Sequence, residues 1–226
     1  MYIRLFAILL PVLLFVGCGT ERPASYSSAA SAFEIHGGSM LDGSLFPSDT
    51  QAISNEALDK ILSQKVEFRE KGRLAVLPIG GWNYQETGEL ASYVQALSSA
   101  LSASPYVGEV MQIPRVLMPK QITVPVLREV GARLQCENVL IYNINIDVRY
   151  DWHVFTKDTS RNRVTIEAIL LNVRSGIIPV TVIHDKLIDF TQAKGEESYE
   201  FFRRLQRDTT LLALQEAAEK MVHKLK

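Results

Sequence analysis

Cysteine is nearly absent from this sequence: two occur in 226 residues, too few for a disulfide framework or for the ligand set of a structural zinc site. Stability must therefore come from burial. Charge of one sign is not in surplus either. Lys and Arg number 24 against 25 Asp and Glu, a formal net charge of -1, which argues against a general polyanion binder and leaves nucleic acid outside the expected partners. Long apolar runs are also missing, since no stretch reaches the roughly 20 residues of a spanning helix. What is present is ordinary globular material, 47% hydrophobic and 22% charged, enough for one domain with a full core once a leader is set aside.

The leader occupies residues 1–17. Arg4 supplies a positive start, Leu5 to Val16 form an apolar stretch broken only by Pro11, and Gly17-Cys18 closes it. That length suits a signal peptide and is too short to span a bilayer as a mature helix. Leu14-Phe15-Val16-Gly17-Cys18 resembles the bacterial lipobox, with Phe15 where Leu is usual. The resemblance implies a diacylglyceryl group on the Cys18 thiol, cleavage before Cys18 and acylation of the new amine, so that the membrane is a partner through an N-terminal lipid anchor. The alternative is a plain secretory signal with a chance cysteine. Acyl chains contribute about 0.8 kcal/mol per buried CH₂, so two or three of them anchor a protein without a spanning helix. Gly19 follows the cysteine, and in enterobacterial lipoproteins a residue other than Asp there implies transfer to the outer membrane. Residues 18–50 are rich in Ser, Ala and Gly, and their few large residues show no period. They read as a flexible tether with an r.m.s. span of roughly 30 Å.

Residues 51–226 read as a single α/β domain. A first helix is expected from Asp49 or Thr50 to about Lys71, with Ile53, Ala57 and Ile61 as its apolar stripe, Leu58 and Phe68 as further candidates for it, and Gly72 as its stop. Arg73 to Pro78 is a continuous apolar run of the kind found at the centre of a sheet. A second helix follows from about Glu86 to Ala103, then a weak strand from Tyr106 to Met118 that Pro114 breaks and that suits an edge. Thr123 with Pro125 opens a short helix in which Gly131 hints at close packing on the sheet. Residues 139–155 alternate: Leu140, Tyr142, Ile144, Ile146, Val148, Tyr150, Trp152 and Val154 on one parity, polar residues on the other. That is a long strand with one buried and one wet face. A turn at Asp158 to Asn162, a strand at Val164 to Val173, a turn at Asn172 to Gly176 and a strand at Ile177 to Phe190 complete an antiparallel meander. A helix from about Glu196 to Leu225 should cover it, with Phe202, Leu205, Leu211, Leu214, Ala218 and Met221 near one side. The fold class is thus α/β, a mixed sheet in β-α-β-α-β-β-β order with helices at both ends.

Leu74-Ala75-Val76-Leu77-Pro78, the passage Leu127 to Ala132 leading into Val139 to Tyr142, and Leu170 to Gly176 together resemble the CsgG-like and LpoB-like periplasmic lipoproteins, whose α/β domain is shared with the amino-terminal domain of the Tol–Pal propeller protein. The likeness covers roughly residues 73–192 and rests on order and hydrophobic pattern. It implies binding or scaffolding in envelope assembly or secretion, an envelope protein partner and a capacity for homo-oligomers. Two features depart from it: the gap at Asp158 to Asn162 is too short for the long hairpins of a curli-type pore, and the tether is shorter than in activators of peptidoglycan synthases.

No catalytic constellation emerges. Pro78-Ile79-Gly80-Gly81 lacks the Gly-Lys-Ser/Thr ending of a phosphate loop and reads as a structural turn. Asp151 and His153 share a strand face without an identifiable third metal ligand. His184 and Asp185 interrupt an apolar strand and mark a bulge or a sheet edge more readily than an acid-base pair. Cys136 lies where a helix meets a strand and reads as a structural thiol. Neither a cofactor nor enzymatic activity is expected; the competing reading is an enzyme or small-molecule sensor whose site is dispersed along the chain. Trp152 and Phe155, at the end of the long strand, are the candidate partner anchors, since exposed aromatics often dominate interfaces.

Overall fold

A computed structural model describes residues 45, 54–79, 87–117, 122–151, 159–193 and 195–225. The leader with Cys18, most of the tether, Gly80 and Gly81, Trp152, His153 and Phe155 lie outside the described residues, as does the side chain of Asp151. The elements are α1 (Asn55–Ser63), β1 (Gly72–Ile79), α2 (Thr87–Leu101), β2 (Val107–Gln112), a 3₁₀ turn (Arg115–Leu117), α3 (Val124–Arg133), β3 (Asn138–Asp151), β4 (Thr159–Asn172), β5 (Val180–Thr191) and α4 (Ser198–Lys224).

The five strands form one mixed sheet in the order β2-β1-β3-β4-β5. β1 pairs parallel to both β2 and β3, and β3, β4 and β5 form an antiparallel meander. β1 is an interior strand buried on both faces, which is why it reads as an unbroken apolar run. Leu74 and Val76 face a cluster built with Tyr93, Leu97 and Leu101 of α2 and Ala213, Leu214 and Met221 of α4. Ala75 and Leu77 face the other way, into a cluster with Leu127 and Val130 of α3. Two helices therefore cover one face and one helix covers part of the other. β2, as Pro114 suggested, is an edge strand.

Gly131 is the contact that lets α3 approach. A Cβ there would come within 2.6 Å of Val173 Cγ2 and 2.9 Å of Val139 Cγ2. Arg128, one helical turn earlier, donates from Nε to the Val173 carbonyl at 2.8 Å and from Nη2 to the Arg174 carbonyl at 2.6 Å. Those bonds hold the β4–β5 turn, where Gly176 takes φ 76°.

Several boundaries differ from the sequence expectation. The first helix is shorter, capped by Ser54, whose side chain accepts from Ala57 N at 3.2 Å, and none of its residues is buried. The turn into β1 is taken by Lys71 at φ 53°, and Gly72 is already the first residue of the strand. β4 begins at Thr159, so Ser160 to Asn162 belong to a ladder with Tyr150 to Val148 and not to a turn. Asn162 is in fact fully buried beneath α4, its Nδ2 donating to the Leu205 carbonyl at 3.4 Å. β3 is wet on one face only past Ile141: Val139 and Ile141 on that face are buried under α3, whereas Asn145 and Asp147 are exposed. In α4 the stripe turns slightly from its expected position, with Phe201, Thr209 and Thr210 buried and Phe202 only half-buried.

Candidate interaction surface

The parallel half of the sheet ends before the antiparallel half does. β1 pairs with β3 only as far as Asn143, yet β3 continues through Ile144 to Asp151, roughly 27 Å further at about 3.4 Å per residue. β4 and β5 accompany it, with Thr159 opposite both Asp151 and Thr191. The result is a three-stranded arm. One of its faces is closed by α4, whose buried Phe201 and Leu205 lie on that side; α3 does not reach the other.

The rows of that open face follow from the register. They are Asn143–Glu167–Ile183, Asn145–Thr165–Asp185, Asp147–Arg163–Leu187 and, at the outer end, Arg161–Asp189. Ties that cross it include Arg161 Nε to Asp189 Oδ1 at 2.7 Å and Thr165 Oγ1 to Asp185 Oδ1 at 2.6 Å. The Arg161 guanidinium holds the Asp189 carboxyl below the usual carboxylate range. Set among these polar groups, on the edge strand, are Ile183 at 73% exposure and Leu187 at 50%. An antiparallel sheet can face water on one side; two large exposed aliphatics two residues either side of Asp185, on the same face of an edge strand, are the feature that water alone does not account for.

The covered side of β5 carries a polar cluster against α4. His184 Nε2 lies 2.8 Å from Glu216 Oε2, Lys220 Nζ lies 2.8 Å from His184 Nδ1, and Lys186 binds the second oxygen of Glu216. An ammonium only donates, so Nδ1 of His184 accepts and the ring proton sits on Nε2, donating to Glu216. The Lys186 ammonium, and after it His184, hold the Glu216 carboxyl below its ordinary range against the opposing effect of burial. His184 therefore marks a sheet edge, as expected, but the register of β5 with β4 runs without a bulge. Its partners lie 32 and 36 residues away in sequence, which is why no motif announced them.

Cys136 is buried, and burial pushes its thiol up to about 11, the opposite of what a nucleophile needs. No group of three or more His, Cys, Asp or Glu side chains able to hold a metal ion occurs among the described residues. A narrow recess between the sheet and the last turn of α4, lined by Phe68, Leu101, Tyr106, Met221 and Leu225, has Arg73 and Tyr106 as its titratable side chains among the described residues. Trp152 and Phe155 fall in the connection between Asp151 and Thr159, outside the described residues. No helix among the described residues is long and apolar enough to cross a membrane.

No family model matches this chain, and no curated protein matches it. Among solved structures it is similar to the PelC dodecamer from Paraburkholderia phytofirmans, with 14% identity over 69% of this chain and 87% of that one and a TM-score of 0.32. It is similar to a minor lipoprotein from Acinetobacter baumannii, with 8% identity over 69% and 90% and a TM-score of 0.34. It is also similar to a Helicobacter pylori protein described as a neuraminyllactose-binding hemagglutinin homolog, with 13% identity over 72% and 92% and a TM-score of 0.44. All are distant in sequence and partial in superposition.

Proposed function

We propose that this chain is a lipid-anchored envelope protein, held through Cys18 at the periplasmic face of the outer membrane, whose domain works by binding other proteins in envelope assembly or secretion and not by catalysis. The observation that carries the binding half of this reading is the open face of the β3–β5 arm, with Ile183 and Leu187 exposed on an edge strand. An edge strand offers unpaired backbone groups along one side, and aliphatic side chains beside it supply the apolar contact that strand addition or surface docking requires. The anchor half is carried by the Leu14 to Cys18 lipobox. The resemblance of residues 73–192 to CsgG-like and LpoB-like lipoproteins supports a scaffold over an enzyme. So does the distribution of titratable groups, which are spent on ties between β5, β4 and α4.

The test is site-specific photo-crosslinking in cells. A photoreactive residue at position 183 or 187 should give discrete covalent adducts that the same residue at Leu212, an exposed position on α4, does not. Adducts between two copies of this chain would identify the partner as a homo-oligomer. Absence of adducts at 183 and 187, or equal adducts at 212, would remove the open face as the binding surface.

A further inference from the structure

We propose that α1 lies on the lipid surface to which the chain is tethered, with its Leu58, Ile61 and Leu62 stripe buried at the boundary between headgroups and acyl chains. The inference rests on the lipid-anchor reading and adds a second membrane contact to it. The stripe follows i, i+3, i+4 spacing, the signature of a helix that buries one side, yet every residue of α1 is exposed, Leu62 to 74%. Neither apolar cluster of the domain takes in any part of it. A helix this short is marginal in water unless a surface covers its apolar side.

The size of the stripe decides what that surface is. Nine residues make a helix about 13.5 Å long, and three aliphatic side chains fall far short of the roughly 800 Å² per partner that a stable protein interface buries. The occupant must therefore be held close by some other link. The bilayer is so held, because Leu45, the point at which the chain meets the domain, lies 27 residues after Cys18 (45 − 18), an r.m.s. reach of roughly 29 Å by the random-coil relation, and a tethered surface acts at high effective concentration. The helix also sits between two fixed points of the domain. Upstream, Val124 N donates to the Leu45 carbonyl at 3.1 Å; downstream, Phe68 packs on Tyr106 with ring centroids 6.0 Å apart. A lipid contact at α1 would thus orient the whole domain and its open arm relative to the membrane. Glu56, Asp59 and Lys60 leave α1 without surplus positive charge, so the contact is apolar and interfacial and owes nothing to anionic headgroups.

The test uses the full lipidated chain reconstituted into vesicles of phosphatidylethanolamine and phosphatidylglycerol, carrying a nitroxide at Leu62→Cys or, as control, at Glu219→Cys on the exposed side of α4. Cys136 can stay, since it is buried and its thiol titrates at about 11. At position 62 the nitroxide should collide more with oxygen and less with a water-soluble relaxant than at position 219, and omitting phosphatidylglycerol should change neither value. A position 62 as open to the aqueous relaxant as position 219 overturns the inference while flotation of the chain with the vesicles leaves the anchor standing. A chain that does not float overturns both. Shielding of position 62 in cells but not in vesicles would assign the stripe to a protein and overturn the lipid assignment.

Discussion

Glu216 on α4 takes a hydrogen bond from His184 of β5 at 2.8 Å with one carboxylate oxygen and binds Lys186 of the same strand with the other, so a single side chain fastens the edge of the sheet to the helix that covers it. Because Lys186 and His184 lower its pKa, the unfolded chain takes up this proton first as pH falls. The stabilisation is therefore complete above the ordinary carboxylate range, near 4.3, and is lost as pH drops through and below it. The side chain is about a third exposed, which limits the effect to about 1 kcal/mol. Glu216→Gln should lower Tm by about 2–4 °C at pH 7, and the gap to the parent protein should close in melts taken toward pH 3. A gap that stays constant with pH would mean that packing, not charge, is what Gln disturbs.

Gly131→Ala opposes two effects. Alanine gains about 1 kcal/mol in helix propensity over glycine. Against it stand contacts of 2.6 and 2.9 Å with the methyl groups of Val173 and Val139, on stiff β-branched side chains, and overpacking of this kind costs about 1–3 kcal/mol. Overpacking should win: Tm falls by several degrees, and Val173→Ala in the same chain recovers part of the loss. An unchanged or raised Tm for Gly131→Ala would show that α3 slides outward at no cost.

The hydroxyl of Tyr142 is buried with no hydrogen-bond partner, and burial pushes its pKa well up. Removing an unsatisfied buried polar group is neutral or stabilising. Tyr142→Phe should therefore leave Tm unchanged or raise it, by an amount worth about 0–2 kcal/mol in a denaturant titration. A clear loss would mean that the hydroxyl has a partner, such as ordered water.

What the sequence could reveal was decided by the distance over which each feature is encoded. The apolar run of β1, the alternation of β3 and the close approach at Gly131 are local, and each pattern maps directly onto burial on one face or two. The α1 stripe is equally local, but periodicity states only that a helix has an apolar side, not which surface meets it. The start of β4 was hidden because Thr159 to Arg163 are polar residues of turn-like composition. They become strand because β3 and β5 flank them and only one of their faces is covered. The tie from His184 to Glu216 and Lys220 spans more than thirty residues, and nothing local to either element reveals it.

Lipid attachment at Cys18 is the premise of the proposed function, and mass spectrometry of the mature N-terminus decides it. The prediction is an N-terminal Cys18 carrying diacylglyceryl and amide-linked acyl groups, found in the membrane fraction, with Cys18→Ser leaving an unprocessed or released chain. A mature protein that begins elsewhere, or a Cys18→Ser chain that fractionates with membranes as the parent does, would contradict it.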